Sequence, residues 1–262
     1  MIPLLAPIFQ GEWAPYGETL ACAARPPADA VRVADLLAEP PRLLALLRLK
    51  ARTLNMPERD LRAVASAWSM NYLHALLPPV AAAASLLQHS LPVTPDRVWV
   101  SLDDEDGDPE CFHITDLGAP RPGTDTAARY DVLLWEHLAP LFALLTQLTR
   151  LAPKILWGNA ARYLEPVLEE GLRMSGQSPA VAADLDHLLH RPSWPQPGGE
   201  PRDNPMFTPL RRGVRVNDRS APPVTLHRQC CLYYLVPRLG YCGACPLSPE
   251  FERERCATSA AD

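Results

Sequence analysis

Four cysteines crowd into sixteen residues near the C-terminal end: Cys230 and Cys231 side by side, then Cys242 and Cys245 after ten intervening residues. The other three of the seven, Cys22, Cys111 and Cys256, are scattered. Thiolates gathered this closely suit soft metal centres, chiefly zinc or iron–sulfur. Structural zinc usually takes two short Cys-x2–4-Cys knuckles, because a small loop lets both sulfurs face one tetrahedral ion. Cys242-Gly243-Ala244-Cys245 is such a knuckle, but Cys230-Cys231 is not. Adjacent side chains diverge in most backbone conformations, so one small ion is an awkward target for both. A wider two-iron cluster accepts the pair more easily. The spacing puts iron–sulfur ahead of zinc and leaves both open.

The approach to the cysteines is basic. Between Arg202 and Arg238 stand seven arginines and two aspartates, in a chain whose net charge is −5. Positive charge beside a metal cluster favours its reduced form and attracts acidic donors or anionic substrates; on exposed strands it also simply keeps an edge soluble. Arg228 and Arg215 are candidate contacts for substrate or donor. His227 is another, able to tune a cluster by hydrogen bonding, although imidazoles more often satisfy ordinary core hydrogen bonds. It is not needed as a Rieske-type ligand, since four cysteines complete the set. Tyr233, Tyr234 and Tyr241 lie within the cysteine loop and are expected to shield it.

Cys-Cys-x10-Cys-x2-Cys at the C-terminal end of a chain of this length resembles the FhuF family of ferric siderophore reductases. Weaker likenesses lie upstream, in Asp203-Asn204-Pro205 and in Ile155-Leu156-Trp157-Gly158-Asn159. The resemblance implies that Cys230, Cys231, Cys242 and Cys245 hold a 2Fe–2S cluster. It also implies a ferric siderophore substrate, hydroxamate complexes foremost, reduced by one electron so that iron leaves as Fe2+. Lys154 and Asn159, in the second region of likeness, are candidates to line a ligand pocket, though capping and packing explain Asn159 equally well. The chain departs from the pattern in a seventeen-residue tail after Cys245, which carries Cys256. The likeness extends faintly to a domain of siderophore synthetases, but the nucleotide-binding machinery they need is not found here.

Composition narrows the class. At 262 residues, 47% apolar and 21% charged, the chain has ample material for a core. The acidic balance argues against general nucleic-acid binding. No run is expected to span a membrane: the most apolar, Leu73 to Leu87, is broken by Pro78-Pro79 and falls short of about 20 residues. The N-terminus lacks the basic and apolar regions of a secretory signal. An odd cysteine count without a disulfide pattern fits a reducing cytoplasm, with peripheral contact to the inner membrane possible. No glycine-rich dinucleotide fingerprint is present, so the electron donor is expected to be a ferredoxin-like protein or a reduced flavin system.

The elements that must position the cysteines are expected to form an α+β fold, predominantly α-helical with short antiparallel hairpins and the C-terminal iron–sulfur motif. Residues 1–190 form a helical body, with 1–30 an irregular arm. One helix starts at Pro57 and stops before Pro78-Pro79, a second covers Val80 to Gln88, and a third runs from Thr124 or Asp125 to Leu151, kinked at Pro140. Alternation predicts a hairpin near 98–115, closed by the acidic turn Asp103–Asp108. That turn is taken as solvated; aligned on Gly107, it lacks the ligands of a calcium loop. Ile155-Leu156-Trp157 suggests a short strand and Asn159 a cap for the helix after it. Residues 191–205, with five prolines and two glycines, form a loop without regular structure. Residues 206–262 form the C-terminal strands, 213–216 paired with 224–228, and the cluster-binding region, one structural unit with the body.

Two rivals stand beside the reductase. One is a zinc-stabilised binding or scaffold protein, and the other an iron–sulfur sensor of iron or redox state.

Overall fold

Residues 62–86 carry alanine, leucine and serine on every side rather than along one stripe, the pattern of a helix buried all round. In the computed structural model, which describes residues 1–196 and 199–253, this run is the central helix, and nearly all its side chains are buried. In chain order the elements are α1 (Ala14–Glu18), β1 (Leu20–Cys22), β2 (Val31–Arg32), α2 (Val33–Ala38), α3 (Pro40–Thr53) and α4 (Arg62–Leu86). Then come β3 (His89–Ser90), β4 (Val98–Leu102), β5 (Pro109–Ile114), β6 (Ala119–Pro120), α5 (Thr126–Asp131), α6 (Ala139–Thr149), α7 (Pro153–Met174) and α8 (Pro179–Leu185). The C-terminal part adds β7 (Ser193–Trp194), β8 (Arg202–Asp203), β9 (Arg211–Arg215), β10 (Val224–Leu226) and β11 (Phe251–Arg253). Helices predominate and the sheets are small, so the α+β class holds.

Several expected boundaries are overturned, each for a packing reason. Helix α4 begins at Arg62, not Pro57, and runs straight through Pro78-Pro79 into the segment expected to be separate. An interior proline costs about 3 kcal/mol, but Leu73, Leu76, Leu77 and Val80 are 4% exposed or less, and each contributes roughly 1.5–3 kcal/mol on burial. Burial outweighs the lost ladder bonds. The N-terminal arm is not irregular: Ile2, Leu5 and Phe9 enter the core, and β1 joins the sheet. Helices α5 and α6 are joined by a π-helical stretch, Val132–Leu138. The Ala139 N–H reaches back to the Leu134 carbonyl just before Pro140, so the expected kink is a slipped turn. Thr126–Thr149 is long and apolar enough to cross a membrane by length and composition, yet Tyr130, Leu134, Leu138, Leu141 and Leu145 point into the protein core.

The hairpin at 98–114 forms as the alternation predicts, with Val98 opposite Ile114 and Val100 opposite Phe112. It is the centre of a four-stranded sheet, order β1-β5-β4-β2, to which β1 adds in parallel. The acidic turn is not merely solvated. The buried Lys50 donates to Asp106 at 2.6 Å and also to Asp108, and the Trp68 indole donates to the Gly107 carbonyl at 2.9 Å. Gly107 sits at φ +72°, a conformation that favours glycine.

The segment that carries the cysteines is fastened from both ends. The loop 191–205 gains a small pair, β7 with β8, and Asn204 is buried within it. The Asn204 amide donates to the Leu188 and Arg191 carbonyls, and its oxygen accepts from Met206 N–H at 3.0 Å. Strands β9 and β10 pair as expected, Gly213 opposite Val224, and β11 adds to the other side of β9. Cys256 lies outside the described residues.

Candidate metal centre

Helix α7 is continuous from Pro153 to Met174, so the strand expected at 155–157 does not exist and Asn159 is not a cap. In helical phase Gly158, Arg162 and Glu165 fall at i, i+4 and i+7, on one stripe. This stripe receives the cysteine segment. Gly158 lets it approach: a Cβ there would stand 2.5 Å from Gln229 Cβ. Glu165 accepts from the buried Arg228 at 3.0 Å, while Arg228 also donates to the Thr208 carbonyl at 2.8 Å. Arg162 reaches the thiols themselves.

The adjacent cysteines diverge. Cys231 pairs with Cys242, within hydrogen-bond reach, and Cys230 pairs with Cys245 at 3.7 Å. Leu232, at φ +62°, turns the chain so that its N–H faces the Cys230 sulfur at 3.4 Å. Cys230, Cys231 and Cys245 are buried and Cys242 is half-buried. The Arg162 guanidinium forks across one pair, donating from Nη1 to Cys231 Sγ and from Nη2 to Cys242 Sγ, each at 3.6 Å. The Cys231 thiol donates to Cys242, which lowers the Cys242 pKa to about 3, with help from His227 and Arg162; Cys231 is correspondingly raised. Burial lifts Cys245 to about 11, with Cys230 adding to the effect.

Two thiolates sharing one tetrahedral ion at about 2.3 Å stand roughly 3.8 Å apart, close to the Cys230–Cys245 separation. The Cys230–Cys245 pair therefore has the spacing of two thiolates on one metal ion. Among the described residues, no group of three or more His, Cys, Asp or Glu gathers about a single ion-sized point. Four thiols in one segment supply the soft donor set that zinc or an iron–sulfur group takes.

Behind the pair runs a buried polar relay. Asn159, 1% exposed, donates to Ser66 Oγ at 3.0 Å and Ser69 Oγ at 3.1 Å, and Ser66 Oγ donates to the Cys231 carbonyl at 2.7 Å. Asn159 thus positions the cysteine backbone from the α4–α7 interface rather than lining a pocket. Arg228 is likewise a buried strut, held by Glu165 and the Thr208 carbonyl. His227 does reach the site: its side chain hydrogen-bonds Cys242 and its N–H donates to the Ala244 carbonyl at 2.9 Å. Arg215 lies on β9, pairing with Glu250 and covering the Phe251 ring at 5.3 Å. Lys154 is exposed on the first turn of α7. Neither Arg215 nor Lys154 is brought to the sulfurs by a described contact. Tyr234 and Tyr241 stack at 5.1 Å and close the loop, and Tyr233 is pushed up to about 12 by burial and by Cys231.

Arg162 is the residue sequence reasoning missed. The signal was a glycine, an arginine and a glutamate at helical spacing, hidden by reading 155–157 as a strand. Arg162 also lines an apolar cleft of about 220 Å³ with Trp13, Tyr16 and Tyr163.

The family described as ferric iron reductase FhuF-like transporter matches residues 66–220, a span that contains Ser66, Asn159, Arg162 and Glu165 and ends before Cys230. The ferric siderophore reductase of Escherichia coli (strain K12) is 24% identical over 193 residues, which is 72% of this chain and 67% of that protein. Among solved structures, aerobactin synthetase IucA from a hypervirulent pathotype of Klebsiella pneumoniae is similar with a TM-score of 0.53 at 16% identity, a likeness of fold alone. That match covers 68% of this chain, which spans only 38% of the synthetase. Since the family match takes in more than half of the sequence, the chain belongs to the FhuF-like ferric iron reductase family.

Proposed function

We propose that Cys230, Cys231, Cys242 and Cys245 hold a 2Fe–2S cluster and that the protein reduces the Fe3+ of a siderophore complex by one electron, releasing iron as Fe2+. The observation that carries this reading is the gathering of four thiols into two contacts, Cys230 with Cys245 at 3.7 Å and Cys231 with Cys242 within hydrogen-bond reach. Kinship supports the substrate class, because a relative is named a ferric siderophore reductase.

When bound, the cluster supplies one-electron transfer. The chain's own residues prepare the place. Burial of Cys230, Cys231 and Cys245 keeps water from the sulfurs, while Cys242, the least buried, marks the side from which a partner approaches. Tyr241, next to it in the chain, is exposed, as are Leu235 and Leu239 of the same loop. Arg162 and His227 donate toward the sulfur of Cys242, stabilising negative charge there. Hydroxamate complexes are the expected substrates, since Fe3+ is a hard ion held by oxygen donors and Fe2+ is held far less tightly. The donor is a ferredoxin-like protein or a reduced flavin system, acting in the cytoplasm.

Stopped-flow oxidation of the reduced protein by a panel of ferric siderophores, with a ferrous chelator trapping the product, tests this. Fast oxidation with Fe2+ formed one-for-one, and selectivity within the panel, is expected. Uniformly slow oxidation by every member would instead identify a sensor.

A further inference from the structure

The two sulfur pairs are chemically unequal. Cys231 and Cys242 share a cation, Arg162, whose fork spans both sulfurs at 3.6 Å. Cys230 and Cys245 have the Leu232 and Leu247 N–H groups and each other. The charges acting on Arg162 are those two sulfurs, because the nearby carboxylates are engaged elsewhere: Glu165 by Arg228 and Glu170 by Arg173. The arginine is fixed as well as charged. It projects from the α7 stripe that Gly158 and Glu165 lock against the cysteine segment on either side.

We propose that Arg162 is a positioning residue that holds Cys231 and Cys242 on one iron and makes that iron the one that accepts the electron. The inference rests on the 2Fe–2S reading. With a cluster bound, one electron taken from a donor that is itself oxidised would add one negative charge to the site. A guanidinium beside two of the four sulfurs stabilises that added charge most at the iron they bind. A planar, always-charged fork suits this task better than an ammonium, because two sulfurs are engaged together.

The test uses the full chain purified anaerobically with its cluster, as wild type, Arg162→Lys and Arg162→Gln, each assayed for iron and sulfide. In a dithionite titration at a fixed donor potential, the reduced-to-oxidised ratio should fall about tenfold in Arg162→Gln, which is ~59 mV for one electron. Arg162→Lys should recover most of that loss. Proton NMR of the reduced wild type reads the asymmetry without any variant: the β-protons with ferrous-site shifts should belong to Cys231 and Cys242. Ferrous-site shifts on Cys230 and Cys245, or an unchanged ratio in Arg162→Gln at two irons per chain, would overturn the proposal. A wild type that contains zinc and no iron would instead overturn the reading beneath it.

Discussion

Arg129 and Arg162 are both drawn into the protein, yet their surroundings are opposites. Arg129 lies in the helical body against Asp184, 2.5 Å away, with both side chains 2% exposed or less. Asp184 also accepts from Thr126 at 2.6 Å and from Ser85 at 2.7 Å, so its oxygens are fully used. Arg162 has no carboxylate; its partners are sulfur atoms, which neutralise it only as thiolates. In the first network Asp184 is saturated by the folded chain alone, although the Arg129 Nε is buried without a partner. In the second, the neighbours of Cys242 already favour its thiolate, and a bound metal would deprotonate Cys231 as well. The same side chain therefore meets a carboxylate in one region and thiols in the other.

Removing Asp184 should separate the two regions most sharply. Asp184→Ala leaves Arg129 buried and unpaired, which costs roughly 3–5 kcal/mol. Urea unfolding of the metal-free protein should show that loss, whereas Arg162→Gln should change the metal-free midpoint little. Equal losses in the two variants would erase the distinction drawn here.

Acid should loosen the body next. Burial pulls His137 down to about 4 from 6.5. It lies 2.5 Å from the Tyr72 hydroxyl and 2.6 Å from the Val93 carbonyl. The folded-state pKa is depressed, so the unfolded chain binds the proton first. The His137 contribution is intact above pH 6.5 and lost as pH falls from there toward 4. The loss is roughly 3 kcal/mol. Denaturant midpoints measured across that window should fall in the wild type and be flatter in His137→Leu.

At the metal site itself, Gly158→Val sets a side chain against Gln229. Overpacking of this kind costs about 1–3 kcal/mol, and here iron content should drop more than helicity does. At the small end, Arg215→Ala should leave stability within about 0.5 kcal/mol and the visible spectrum unchanged. Bleaching in that variant would mean that β9 touches the site after all.

These contrasts also explain what the sequence disclosed. The hairpin at 98–114 was legible because its alternation matches a half-buried sheet. The set of four cysteines and the divergence of Cys230 from Cys231 were legible because ligand spacing and adjacency are local, whereas the pairing of Cys231 with Cys242 and Cys230 with Cys245 was not. Pro78-Pro79 misled because burial on all sides of α4 is tertiary and leaves no trace in the prolines themselves. Asn159 and Arg228 were found, but not the contacts that hold them. Their partners, Ser66 and Glu165, lie 93 and 63 residues away, beyond any local pattern. Arg162 was lost with the helical phase of α7.

The central claim is that four thiols, in two pairs, hold two irons. Iron, zinc and acid-labile sulfide determined on the anaerobically purified chain, beside Cys230→Ser, Cys245→Ser and Cys256→Ser, test it directly. Two irons and two sulfides per chain are expected in the wild type and in Cys256→Ser, with the cluster lost in the other two. One zinc per chain with neither iron nor sulfide, or loss of the cluster in Cys256→Ser, would contradict it.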